Sequence, residues 1–241
     1  MKLLKSITIL TILCSTSLMQ AQWGKWKKIK GSGNITTETF STASYDGIKT
    51  AGAMDFNLIP GKEGQITVKA DDNLMSYIVV EVKNETLSVR VKDGYNLKPS
   101  STISVTIPFT SINAVSLAGS GNVKNSGTIE SDDINISLAG SGDIELNIDT
   151  NETESHIAGS GDIKLEGSTT ELTLKVTGSG NFEGDDLNST NVTAKVTGSG
   201  GADVVCNGEL IVRITGSGNV HYSGKPTQKD TKITGSGSIN N

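Results

Sequence analysis

Large side chains are scarce in this chain: phenylalanine, tryptophan and tyrosine together make up 4% of it. That argues against a compact globule centred on aromatic residues. Proline occurs only four times, and no long segment carries helical periodicity. The chain has two cysteines, and Cys14 lies in an N-terminal leader, so Cys206 is left alone and no intramolecular disulfide can staple an exported form. Basic residues are also short. Removing the leader with Lys2 and Lys5 takes 2 from the 21 basic residues, leaving 19 against 26 acidic ones and a net charge of −7. A general nucleic-acid binder needs a basic face, so this balance speaks against that class.

The leader has the parts of an export signal over residues 1–21. Lys2 and Lys5 give a positive start, Ile7 to Leu13 a short apolar core, and Ser15 to Ala21 a polar tail with a cleavage point at Ala21-Gln22. The apolar core is too short to remain as a membrane anchor. Leu13 is bulky where a lipoprotein site needs a small residue before the cysteine, which argues against lipidation of Cys14.

Glycine, by contrast, is abundant at 28 residues, and much of it falls into one motif. The triplet Gly-Ser-Gly begins at 119, 140, 159, 178, 198, 216 and 235, at intervals of 21, 19, 19, 20, 18 and 19. A flexible linker keeps no period, and a phosphate-cradling loop needs one glycine-rich turn feeding a helix. Two residues before the triplets stand Leu117, Leu138, Ile157, Val176, Val196, Ile214 and Ile233. Four residues after each first glycine stand Val123, Ile144, Ile163, Phe182, Ala202, Val220 and Ile239. Between triplet and apolar residue lies Asn or Asp in five of the seven units, so each unit reads strand, tight turn, strand.

A unit of about 19 residues cannot bury its own apolar side, but it can bury it against identical neighbours. The pattern therefore predicts an all-β fold: a β-helix or solenoid of about 19 residues per coil, with GSG turns and right-handed by default. Strand spacing of about 4.8 Å gives a stack about 29 Å long over the seven triplets. The regular repeat covers 114–241, and 22–113 forms a less regular β-rich front section continuous with it. "KIKGSGNI" (28–35) belongs to the same pattern, with Ile29 and Ile35 in the apolar columns, and "IKTAGAMDF" (48–56) reads as a degenerate copy. Strand-like runs fill 65–70, 78–82, 86–91 and 102–109, with a hairpin connection at 82–87.

The export signal, the irregular β front half and the coils centred on GSG-[Asn/Asp]-apolar resemble the head GIN domain auto-transporter adhesins of Bacteroidetes-type bacteria. The resemblance covers essentially all of 29–241. It implies a pectin-lyase-like β-superhelix with GSG turns between its sheets and a part in cell adhesion, and it supplies no catalytic residues to transfer. The segment "ITGSGSINN" does not have the aromatic-girdled, ten-residue alternation of a membrane β-strand, so anchoring by that route is not expected.

One outward column holds Ser116, Ser137, His156, Lys175, Lys195, Arg213 and Lys232. Stacking would align four cations, Lys175, Lys195, Arg213 and Lys232. They form either a solvated face that blunts aggregation or an anion-binding stripe for acidic polysaccharide or lipid headgroups. Asp143 and Asp162 fall in adjacent coils, but the column they occupy is mostly Asn, which fits backbone satisfaction better than a calcium ladder. His156 and His221 stand in different columns without ligand spacing, and Cys206 reads as a small apolar filler. No metal or cofactor is expected.

The function expected from these features is that of an exported, non-enzymatic binding or adhesion-like module of the cell envelope: periplasmic, outer-membrane-associated or extracellular. Its partner would be a glycan or another envelope component, with no nucleic acid and no membrane-spanning segment in the mature chain. The alternative is a carbohydrate-active enzyme on a β-helix. An uncapped last coil would expose strand edges, so the front section or a second subunit is expected to cover it.

Overall fold

The computed structural model describes residues Trp26–Asn241; the export signal, its cleavage point and Cys14 lie outside these residues. Strands run almost without break from Lys27–Lys30 to Ser238–Asn240, interrupted by one short 3-10 helix, Asp72–Tyr77.

The expected solenoid is present. Gly52, Gly119, Gly140, Gly159, Gly178, Gly198, Gly216 and Gly235 lie in one parallel row, each in register with the next. One face is built from Thr86–Val91, Gly47–Gly52 and Ala114–Gly119, then the C-terminal halves of the long strands, then Glu209–Gly216 and Gln228–Gly235. The face after the corner starts with Ser104–Phe109, Asp55–Pro60 and Asn122–Asn125, and ends with Gly201–Cys206, Asn219–Gly224 and Ser238–Asn240. A third side pairs Ile129 with Ile148, Ile148 with Gly167, and Gly167 with Leu187.

The aliphatic columns face inward as their alternation requires. Leu117, Leu138, Ile157, Val176, Val196 and Ile214 are buried, as are Val123, Ile144, Ile163, Phe182, Ala202 and Val220. Each such aliphatic side chain contributes about 1.5–3 kcal/mol before conformational entropy is charged against it. The core also holds a small polar knot. The hydroxyls of Thr150, Thr153 and Thr169 lie 2.8, 3.1 and 3.1 Å apart, so each of these buried groups finds a partner.

The corners explain the triplets. The carbonyls of Gly52, Gly119, Gly140, Gly159, Gly178 and Gly216 each accept two hydrogen bonds from the next coil; Gly140 O takes Ser160 N at 2.9 Å and Gly161 N at 3.1 Å, while Gly198 O takes Ser217 N at 2.8 Å. Gly159 has φ +138, and a Cβ on it or on Gly161 would collide with the glycine carbonyl of the coil before. The corners thus need both a left-handed backbone and a bare Cα.

The degenerate coil is real: Gly52 pairs with Gly119, Asp55 with Asn122 and Phe56 with Val123. The triplet at 31–33 is not a coil. Lys27–Lys30 pairs with Tyr95–Lys98 in a separate two-stranded sheet, and Ile35–Ser41 runs antiparallel to Gln65–Asp71, leaving Ile35 exposed. Here the glycines wrap a buried carboxylate. Asp71 accepts hydrogen bonds from Gly33 N at 2.7 Å, Ser100 N at 2.9 Å and Ser100 Oγ at 2.6 Å. These bonds, those of Ser100 foremost, hold its carboxyl below the usual range.

The front section also sits at the other end from the one expected. Ile78–Lys83 runs antiparallel to Thr86–Val91, and Gln65–Asp71 antiparallel to Ser104–Phe109, so both faces are covered beside the first coil. Gln228–Gly235 is exposed along its length, including Ile233, because the front section has already paired with the opposite edge.

Candidate functional site

The cation stripe forms as the repeat dictates. Lys175 pairs with Lys195, Lys195 with Arg213 and Arg213 with Lys232, in four successive coils. Parallel strands lie about 4.8 Å apart, so charges of one sign recur at that spacing along a flat face. Lys175, Lys195 and Lys232 are exposed, and Arg213 is half-buried. Arg213 is the member tied down: its guanidinium meets the Asp230 carboxylate and donates to the Asp230 and Val212 carbonyls at 2.9 and 3.1 Å. Two residues further on, Thr177, Thr197, Thr215 and Thr234 form a parallel row of hydroxyls beside the cations. His156 continues the column below Lys175, with its Nε2 3.7 Å from Glu154.

The Asn/Asp column behaves as a backbone ladder, with a difference from the expectation: Asp143, Asp162, Asn181 and Asn219 serve the next coil and not their own turn, while Asn122 donates back to Asp55 at 2.9 Å. Asp143 Oδ1 accepts from Asp162 N at 3.2 Å, Asp162 Oδ1 from Asn181 N at 2.7 Å and Asn181 Oδ1 from Gly201 N at 3.0 Å. Acceptors used in this way are taken up by scaffold.

Cys206 is a buried free thiol among aliphatic neighbours, and burial pushes its pKa up, so it has little thiolate character. His221 is not isolated. It pairs with Asp203 across adjacent coils, and Asp185 reaches the same spot, so the sequence spacing of the histidines hid a cluster. Aligning the residues five after each first glycine gives Lys124, Glu145, Lys164, Glu183, Asp203, His221 and Asn240, a column in which Asp203 and His221 are adjacent.

An open cavity of about 660 Å³ lies where the two-stranded sheet meets the first corner. Its apolar wall is made by Trp26, Met54, Val91, Leu97 and Ile103, and its charged lining by Arg90, Asp93 and Lys98. It depends on the chain folding back at 95–103, and no local motif announces it. Among the described residues no helix is long and apolar enough to cross a membrane.

A family model described as "Putative auto-transporter adhesin, head GIN domain" matches residues 44–226. No curated protein matches the chain. Among solved structures, a putative lipid binding protein from Parabacteroides distasonis ATCC 8503 is 27% identical with a TM-score of 0.75, covering 89% of this chain and 99% of its own. A putative adhesin from Bacteroides fragilis NCTC 9343 is 23% identical with a TM-score of 0.82, covering 88% and 99%. A putative adhesin from Parabacteroides merdae ATCC 43184 is 22% identical with a TM-score of 0.72, covering 89% and 98%. The last two share the fold.

Proposed function

Because the chain belongs to the head GIN domain family, we propose that it is an exported, non-enzymatic adhesion-like module of the cell envelope that binds an extended anionic partner along its cation stripe. The observation carrying this reading is the in-register run Lys175, Lys195, Arg213, Lys232, one cation per coil beside a row of threonine hydroxyls. Like charges stacked this closely repel. A polyanion with a similar repeat, such as a glycan bearing uronate or sulfate groups, relieves that repulsion, and the hydroxyls supply hydrogen bonds to its sugars. The scaffold is rigid, so little ordering entropy is lost on binding.

The test is titration of the mature protein with a polyuronate and with a neutral glycan of equal length, at low and high salt. The polyuronate is expected to bind with a steep salt dependence, and Lys175→Glu with Lys195→Glu to weaken it by about tenfold or more. That pair leaves the Arg213–Asp230 contact intact. Equal binding of both glycans, or affinity unchanged in the double variant, contradicts the reading.

A second reading rests on the apolar cavity beside Trp26. Its lining suits an acyl chain, with Lys98 placed for a carboxylate, and one structural relative bears the name of a lipid binding protein. Fatty-acid binding that is lost in Leu97→Asp supports this reading; fatty-acid binding that persists in Leu97→Asp, or none at all, removes it.

A further inference from the structure

We propose that Asp185, Asp203 and His221 form a binding site for a first-row divalent metal ion such as Zn²⁺. One ligand atom from each residue lies within 4.8 Å of the other two. A metal at about 2.0–2.2 Å from each donor draws such atoms closer together, a change within reach of side-chain rotation at the surface. An imidazole with two carboxylates is a donor set for zinc or manganese; calcium takes oxygen ligands only.

The three residues come from three successive coils, and an irregularity in the repeat assembles them. Asp203 and His221 occupy equivalent positions in adjacent strands, Gly201–Cys206 and Asn219–Gly224. Asp185 does not belong to that column. The register between Asn181–Gly198 and Gly201–Cys206 jumps from Gly184↔Val204 to Asn188↔Val205, so Asp185, Asp186 and Leu187 have no partner in Gly201–Cys206, and Asp185 is also skipped in the pairing with the coil before, where Lys164↔Glu183 is followed by Glu166↔Asp186. This bulge brings the Asp185 carboxylate over Asp203, where a regular coil would carry it past. Glu183, in register with Asp203, lies in the same coil as Asp185.

Bringing two carboxylates together in a partly desolvated spot is unfavourable without a counter-ion. A bound cation relieves that repulsion and ties the bulge to the two coils that follow. Three protein ligands leave positions on the ion for water or for a ligand oxygen.

The experiment uses the untagged mature protein and ZnCl₂. Calorimetry is expected to show saturable one-to-one binding, not matched by Ca²⁺ at the same concentration. The chain has two histidines, so imidazole NMR separates the sites: the His221 ring signals shift with Zn²⁺ while those of His156 stay in place. Asp185→Asn, Asp203→Asn and His221→Gln, each checked for an unchanged circular dichroism spectrum, should each weaken binding by about tenfold or more. Asp185 and His221 are exposed, so these variants keep the core intact. No saturable binding, a shift at His156 in place of His221, or affinity indifferent to the three substitutions overturns the proposal.

Discussion

Replacing Gly161 by alanine adds one methyl group to a corner of the solenoid, and the stack leaves no room for it. The new Cβ would lie more than 1 Å inside the 3.0 Å floor that real Cβ atoms keep, against the carbonyl oxygen of Gly142. That oxygen belongs to the backbone of the neighbouring coil, so no side chain can swing aside. Clearing it means lifting one coil off the other by about 1 Å. The bonds from Ser160 N and Gly161 N to Gly140 O, 2.9 and 3.1 Å long, would then be broken. Overpacking costs about 1–3 kcal/mol, and two lost hydrogen bonds add about 1 kcal/mol each. The sum is about 3–5 kcal/mol, which for a domain of this size lowers Tm by about 6–20 °C. Gly33→Ala is the control. Its φ is +90, but nothing lies within 4 Å of the added Cβ, so only the left-handed backbone is penalised, by about 1–2 kcal/mol. Thermal melts followed by far-UV circular dichroism compare the two. A Gly161→Ala protein that melts within about 2 °C of the parent, or no lower than Gly33→Ala, refutes the close-approach argument.

Two further predictions concern the interior. The Ser155 hydroxyl is buried without a hydrogen-bond partner, in a column whose neighbours are Ile136 and Leu174, so Ser155→Ala is expected to stabilise the protein by about 1 kcal/mol in urea denaturation; a destabilisation of that size would mean the hydroxyl is satisfied. Asp71 has a folded-state carboxyl pKa below its unfolded value, so its stabilisation is present above about pH 4 and is lost as pH falls through the folded value. Asp71→Asn should therefore lower Tm at pH 7, and the gap from the parent should shrink at about pH 3; a gap independent of pH contradicts this.

The columns were legible because burial imposes period two on both sides of a corner that only glycine can make. Leu138, Ile157 and Val176 could be aligned from the letters alone, and even Gly52-Ala53-Met54 kept enough of the pattern to be recognised as a coil. The triplet at 31–33 misled because the same residues answer a different demand there, the approach to Asp71, a residue forty positions away. The third side of the coil stayed hidden since Ile129, Ile148 and Leu187 have no glycine to mark their place. Local patterns also gave no sign of which end the front section covers, which is settled by the antiparallel pairing of Gln65–Asp71 with Ser104–Phe109. The stripe followed from the repeat. The Asp185–Asp203–His221 cluster did not, because one of its three members, Asp185, depends on a bulge; the trace of that bulge is the interval of 20 followed by one of 18.

The central claim is that successive triplets pile up along one axis. Spin labels placed on the exposed triplet serines test it, in a background where the buried Cys206 is replaced by alanine. Ser120 is paired in turn with Ser199, Ser217 and Ser236, each pair changed to cysteine and labelled, and the distances are read by pulsed electron resonance. Corners stacked at about 4.8 Å per coil place the label sites about 19, 24 and 29 Å apart, rising in even steps. Distances that fail to grow with coil number, or that scatter without order, would contradict the stacked solenoid.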